Sequence, residues 1–318
     1  MTDSTKPLFL EVKREFGAFG TKIELLVLIA NKDEAQKTES LLESVQAEYA
    51  RLEKIFSRFD PESELSKFNS NLGISMEASE ELREICKLAL EYNFKTDGYF
   101  DPRILDFLIE NGYSKDFSRI DLNSVASGKD EVDLCCPLAK DLEIDGENIL
   151  FRARMDFAGL VKGWATDLIA EKISKQGFHN SMVNSGGDIF FAGHDEKGNA
   201  WPVDVEGISY EKLLLQLSGK GIATSGIGKR KWEKNGKRFH HLVNPKNKKE
   251  FSFDLNSVTV VADSTEQADV LAKTLFLMGK EEAKAYAQKE GLACVILNYT
   301  GEAWVSQAMN QFIYQKNI

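Results

Sequence analysis

Apolar positions along this chain repeat with two different periods. Lys22 to Ala30 (KIELLVLIA) is apolar and β-branched enough for a buried strand. From Glu34 to Phe56 the positions Leu41, Leu42, Val45, Tyr49, Leu52 and Ile55 recur at helical spacing, so the chain opens as strand then helix. A second helix is predicted over Ser79 to Thr96, with Leu82, Ile85, Leu88, Ala89 and Tyr92 on one stripe and Asp97-Gly98 as its stop. Residues 113 to 147 are more polar and turn-rich, which predicts a surface excursion ending in a hairpin near Asp145-Gly146.

From Asp156 a Gly-containing turn leads into a predicted helix across Lys162 to Gln176 and a strand from Asn180 to Val183. Trp201 to Val205, Leu213 to Leu217 and Gly221 to Thr224 follow as strands, then a basic, aromatic stretch runs to His241. Val258 to Ala262 is a further strand, Ser264 to Met278 and Lys280 to Glu290 are helices, and Ala293 to Asn298 and Ala303 to Ser306 are strands. No short repeat period is visible, which excludes solenoids and propellers. Strands mixed with paired helices predict one α+β or mixed α/β unit over residues 1 to 318.

At 318 residues, 42% hydrophobic and with only 6 Pro, the chain can bury a sizeable core and holds no Pro/Ser-rich linker. Its net charge of -10 argues against nucleic-acid binding by phosphate neutralisation but allows a local basic pocket for a small anion. Cys86, Cys135, Cys136 and Cys294 have no C-x-x-C spacing, as expected of thiols in a reducing compartment. No apolar run approaches the roughly 20 residues of a membrane span, and MTDSTKPLFLEVKREFG lacks the apolar centre of a secretory signal. A cytoplasmic location is therefore expected.

Four segments could carry chemistry. Asp156-Phe-Ala-Gly159-Leu-Val-Lys162-Gly163-Trp-Ala-Thr-Asp167 puts two glycines and a lysine at a helix start, where backbone N–H groups and a cation suit a phosphate; a plain strand-to-helix turn is the alternative. Asn184-Ser185-Gly186-Gly187-Asp188 follows a strand, so its glycines either admit a ligand close to the backbone or form an ordinary β-turn. Thr224-Ser225-Gly226, then Lys229 to Trp232 and His240-His241, combine hydroxyls, cations and imidazole as a polyphosphate site or a solvated basic hairpin would. Finally, Ser264 can cap a helix on which Asp269 falls near the buried side, where a carboxylate needs a partner or a metal. Walker A, G-x-G-x-x-G, G-x-S-x-G and H-E-x-x-H patterns are all missing, so the usual nucleotide folds, serine hydrolases and zincins are set aside.

In this order the segments resemble the FAD:protein FMN transferase family, also called the ApbE family. The resemblance takes in Phe19-Gly20-Thr21, Phe56-Ser57-Arg58-Phe59-Asp60, Ser63 to Ser66 with Asn69, Gly98 to Pro102, Asp156 to Asp167, Asn184 to Asp188, Thr224 to Gly226, His241 to Pro245 and Ala268 to Lys273. It implies a tunnelling-fold-like α+β protein that, with Mg²⁺, cleaves FAD, passes FMN to a Thr or Ser hydroxyl of an acceptor protein and releases AMP. By position it implies Phe19 against the flavin and Phe100-Asp101 along the nucleotide. It also implies Lys162 near the pyrophosphate, and a pocket supported by Asp167, Asn184, Gly186, Gly187 and Asp188. Thr224, Ser225 and His241 match the family's T-S-G and H-x-x-[DN]-P positions, with His241 for phosphate contact or proton transfer. Asp269 and a main-chain oxygen near Gly159 would form the metal site, and either His241 or Asp269 would be the base that takes the acceptor hydroxyl's proton, with Lys162 as the third catalytic residue.

One position departs from the pattern. Four residues after the aspartate the family usually has a Thr that also binds magnesium; here it is Lys273, with Thr274 one place later. An ammonium and a divalent cation repel each other. Lys273 therefore points away, replaces the metal's charge, or marks a protein that binds flavin without transferring it. An FAD-storing protein and an FAD pyrophosphatase are the alternatives that remain open.

Overall fold

A computed structural model of the protein describes residues 9–111, 134–228, 231–234, 237–247 and 253–317. Its centre is a sheet of eight strands, each paired antiparallel with its neighbours. In spatial order these are β1 (Leu10–Ala18), β2 (Thr21–Ile29), β6 (Ser181–Ser185), β7 (Asp188–Ala192), β10 (Lys220–Gly226), β13 (Leu255–Ala262), β14 (Ala293–Asn298) and β15 (Ala303–Val305). Side chains alternate between the two faces of a strand. On β2, Ile23, Leu25, Val27 and Ile29 enter one core while Leu26 and Leu28 enter another. On β14, Cys294 and Ile296 likewise oppose Ala293 and Val295. Burial on both faces is why these strands are nearly continuous apolar runs in the sequence.

Helices cover one face: α1 (Ala35–Phe56), α2 (Glu64–Ser70), α3 (Glu80–Lys95), α4 (Leu105–Glu110), α5 (Ala158–Lys175), α6 (Thr265–Met278) and α7 (Lys280–Lys289). A small sheet of β3 (Met76–Glu77), β5 (Asn148–Phe151) and β4 (Leu142–Asp145) joins the core under α1 to α3 through Leu142, Ile149 and Phe151. The opposite face carries β16 (Ile313–Lys316), β9 (Leu213–Leu217) and β8 (Trp201–Asp204), which bury Val203, Leu213, Leu215 and Leu217 against the central sheet. A separate hairpin pairs β11 (Lys231–Lys234) with β12 (Lys237–His240). This is the expected α+β architecture, with antiparallel sheets and packed helices.

Several elements differ from the sequence reading. α5 begins four residues before Lys162, because Asp156 accepts the Ala158 N–H at 2.9 Å and starts the helix there. β1 is an edge strand whose exposed positions carry Glu11, Lys13 and Glu15, so its apolar signal is diluted by the charges that protect an edge. Of the surface excursion expected at 113 to 147, residues up to 133 lie outside the described part. The hairpin expected near Asp145-Gly146 is present as β4 and β5, whereas Leu138 and Leu142 are buried, so this end of the segment packs on the core.

Candidate active site

One cleft of about 820 Å³ opens where the tips of two hairpins meet helices α5 and α6. That volume lies within the ~300–1,000 Å³ range of small-molecule and cofactor sites. The first tip is the β1–β2 turn. Ala18 pairs with Thr21, leaving Phe19 and Gly20 as a two-residue loop with φ of 53° and 65°. Two positive φ values give the type I′ turn that matches strand twist, but a bulky residue there is strained. Glu53 on α1 holds it, accepting the Phe19 N–H at 2.7 Å, while the Phe19 ring meets Tyr49 edge-on.

The second tip is the β6–β7 turn, where Ser185 pairs with Asp188 across Gly186 and Gly187, φ 71° and 107°. Asn184 Oδ1 accepts the Gly187 N–H at 2.8 Å, and its Nδ2 donates to Glu24 Oε2 at 2.8 Å. A Cβ on Gly186 would overlap the Thr21 side chain, so this glycine lets the two tips touch. Behind them Ser185 Oγ is shared by Tyr49 OH at 2.9 Å and Thr166 Oγ1 at 2.6 Å. Burial pushes the Tyr49 phenol up to about 12, so it stays neutral and holds the turn from below.

Helices α5 and α6 form the adjoining wall. Asp188 is buried and ion-paired with Lys162, one turn into α5. Gly163 allows α5 to lie directly on α6: a Cβ there would come 2.7 Å from the Glu266 Cα. Gly221 on β10 gives the same close approach to the Ser264–Thr265 backbone. The position of α6 is then fixed by Asp167, whose two carboxylate oxygens accept the Thr265 and Glu266 N–H groups, each at 2.8 Å. Burial holds the Asp167 carboxyl above the usual carboxylate range, against the pull of those two donors. Asp167 does not line the cleft. It supports the pocket from behind, capping the helix whose Asp269 and Lys273 face the cavity.

The other residues that the family resemblance assigns to the site line the cavity: Phe19, Phe100, Asp101, Gly159, Lys162, Asn184, Gly186, Gly187, Asp188, Thr224, Ser225, His241, Asp269 and Lys273. Their states differ. Thr224 Oγ1 is 2.9 Å from Thr259 Oγ1 on the neighbouring strand. Asp101 is committed to Arg103, 2.7 Å away, in an ion pair whose two side chains are both 0% exposed. Arg103 also reaches Asp141 at 2.6 Å, so Asp101 shapes the wall through a buried network. The adjacent histidines divide: His240 is buried edge-on against Phe253 and Phe276, whereas His241 faces the cavity. Sequence reasoning missed Glu24, Glu53 and Glu206 in the lining. Glu24, a charge inside an otherwise apolar strand, was the one with a visible signal.

The expected metal ligands do not make a Mg²⁺ site. Lys273 follows Asp269 by one turn of α6, and its Nζ lies 3.9 Å from Asp269 Oδ1. A Cβ on Gly159 would overlap that same nitrogen, so the ammonium fills the gap between Gly159 and the carboxylate. A protonated lysine has no lone pair to give a metal. An ion bound to Oδ1 at the ~2.1 Å of a Mg–O bond would lie within about 6 Å of the ammonium, a repulsion of about 5 kcal/mol or more at an effective dielectric constant near 20. Among the described residues, no three His, Cys, Asp or Glu side chains converge on a point that could hold an ion.

Fold and cleft together define an antiparallel α+β protein with a deep site whose wall mixes aromatic side chains, Lys162, Lys273 and an imidazole. The chain belongs to the ApbE family, whose sequence profile matches residues 19–296. It is 27% identical over 290 residues to the FAD:protein FMN transferase of Haemophilus influenzae, covering 87% of this chain and 82% of that one. With the protein of the same name from Escherichia coli K12 it shares 24% over 293 residues, 88% and 84% of the two chains. Among solved structures it resembles the apbe protein of Thermotoga maritima, with TM-score 0.80 and 22% identity over 96% of this chain and 100% of that one. It also resembles the flavin transferase ApbE of Vibrio cholerae, with TM-score 0.77, 21% identity, and 96% and 99% coverage. Among the described residues no helix is long and apolar enough to cross a membrane.

Proposed function

We propose that the chain is an FAD:protein FMN transferase, moving FMN from FAD to a Thr or Ser hydroxyl of an acceptor protein and releasing AMP. The observation that carries this reading is convergence: segments from residue 19 to residue 273, matched in order to the family, all line one cleft of suitable size. Phe19 and Phe100 offer apolar surface for the isoalloxazine and adenine rings. Lys162 and Lys273 offset the pyrophosphate charge, and Thr224 and Ser225 supply hydroxyls to its oxygens.

In the transfer step the acceptor hydroxyl oxygen forms a bond to the riboflavin-side phosphorus. The bond from that phosphorus to the bridging oxygen breaks, and AMP leaves with the electron pair. His241 takes the hydroxyl proton, a role for which imidazole is suited near neutral pH. Phosphoryl transfer asks mainly for positioning and charge neutralisation, which a rigid wall bearing two ammonium groups provides. No step is assigned to Mg²⁺.

The test is to incubate the purified protein with FAD in a lysate of its own host and look for flavin fluorescence on denatured, separated protein bands. A fluorescent band with AMP release, lost in His241→Ala, supports transfer. FAD bound with neither band nor AMP would make the protein a flavin store. FMN and AMP released without acceptor would make it a pyrophosphatase.

A further inference from the structure

We propose that the Lys273 ammonium is a tethered cation standing where a divalent ion would sit beside Asp269, so that FAD is bound, and its pyrophosphate charge offset, without a metal. The proposal rests on the flavin-transferase reading of the cleft and deepens it. Its basis is the fit of three residues. Asp269 is buried on α6, Lys273 follows one helical turn later with its side chain only 19% exposed, and the two charges lie 3.9 Å apart. Gly159 completes the arrangement, because any side chain at that position would displace the ammonium. All three residues line the cleft together with Lys162 and His241.

The chemistry is that of a compact point charge. An ammonium carries three N–H donors and is an established phosphate ligand. Among the described residues Asp269 is the ion-pair partner of Lys273, at a distance beyond hydrogen bonding, so those donors remain available to phosphate oxygens. Asp269 then orients and balances the lysine where it would otherwise ligate a metal. Covalent attachment keeps the cation at its post whatever the divalent-ion concentration, and its binding entropy is met on folding.

The experiment uses the full chain after exhaustive treatment with EDTA, which is kept in one buffer and replaced by millimolar Mg²⁺ in the other. FAD affinity is followed by flavin fluorescence, and Mn²⁺ binding by loss of the free-ion spin resonance signal with and without FAD. The expected result is a Kd for FAD that changes by less than about twofold between buffers, with no site-bound Mn²⁺. Lys273→Thr should bind FAD at least about tenfold more weakly in EDTA, recover in Mg²⁺ and acquire a Mn²⁺ site lost again on Asp269→Asn. Lys273→Met, with neither charge nor hydroxyl, should stay weak in both buffers.

Native protein that gains about tenfold or more in FAD affinity from Mg²⁺, or binds Mn²⁺ at Asp269, overturns the tethered cation and leaves the transferase reading standing. Native protein that melts cooperatively yet binds no FAD in either buffer overturns both. The Mn²⁺ measurement on the native chain needs no substitution, so a variant that fails to fold does not remove the test.

Discussion

Replacing Asp167 by Ala separates a capping residue from a ligand-binding one. Two backbone N–H groups at the start of α6 would lose charge-assisted acceptors at 2.8 Å, in a partly buried position. Hydrogen bonds to charged groups contribute about 1.5–3 kcal/mol each. The loss is moderated because Ser264 still caps Gln267 at 3.1 Å and because removing a buried carboxylate relieves its desolvation. A net destabilisation of about 2–4 kcal/mol follows. At ~2.1 cal/mol/K per residue, the 318-residue chain has an unfolding entropy near 0.7 kcal/mol/K, so Tm should fall by about 3–6 °C. FAD affinity at 25 °C should change by less than about threefold, roughly 0.6 kcal/mol. The difference in stability between native and variant should also widen in acid. A carboxyl whose folded pKa is raised contributes stability that is fully present below its unfolded pKa, ~3.9, and is lost as pH rises through the folded value. Calorimetry at neutral pH and near pH 4, paired with an FAD titration, makes the check. An unchanged Tm with an affinity loss of about 100-fold would refute the capping role and return Asp167 to the binding site.

Gly186→Ala should cost about 1–3 kcal/mol, because the new methyl meets the Thr21 side chain at a φ of 71°; part of that loss should return in the Gly186→Ala, Thr21→Gly double variant, measured by denaturant melts. Arg103→Met strands the buried Asp101 carboxylate and should destabilise the chain by about 3–5 kcal/mol, with a matching drop in the thermal midpoint; a smaller effect than Asp167→Ala would show the network to be dispensable.

The strands and long helices were visible in the sequence because their periodicity is driven by burial, and burial on both faces of β2 and β14 leaves hardly any polar interruption. β1 and α2 were missed for the converse reason: one is an edge carrying alternating charges, the other too short for a stripe to repeat. At the site, residue types were legible and their roles were not. The glycines after Asp156 suggested a phosphate cradle, yet Gly163 serves contact between α5 and α6 and Gly159 makes room for Lys273, both set by chain segments about a hundred residues away. How Asp167 supports the pocket was hidden on the same ground, since what a carboxylate accepts is decided by whichever N–H groups the fold brings to it.

The two hairpin tips bear on where this scaffold can vary. Each loop contains only two residues, and the pairs Ala18–Thr21 and Ser185–Asp188 fix its register. Inserting a residue within the paired strand beside either tip would turn the side chains between it and the tip to the opposite face and disturb both cores at once. That wall of the cleft is thus held to one strand register. The segments around Phe100 and from His241 to Pro245 lie between elements and carry no such register, so variation on that side is limited by the side chains it presents and not by strand pairing.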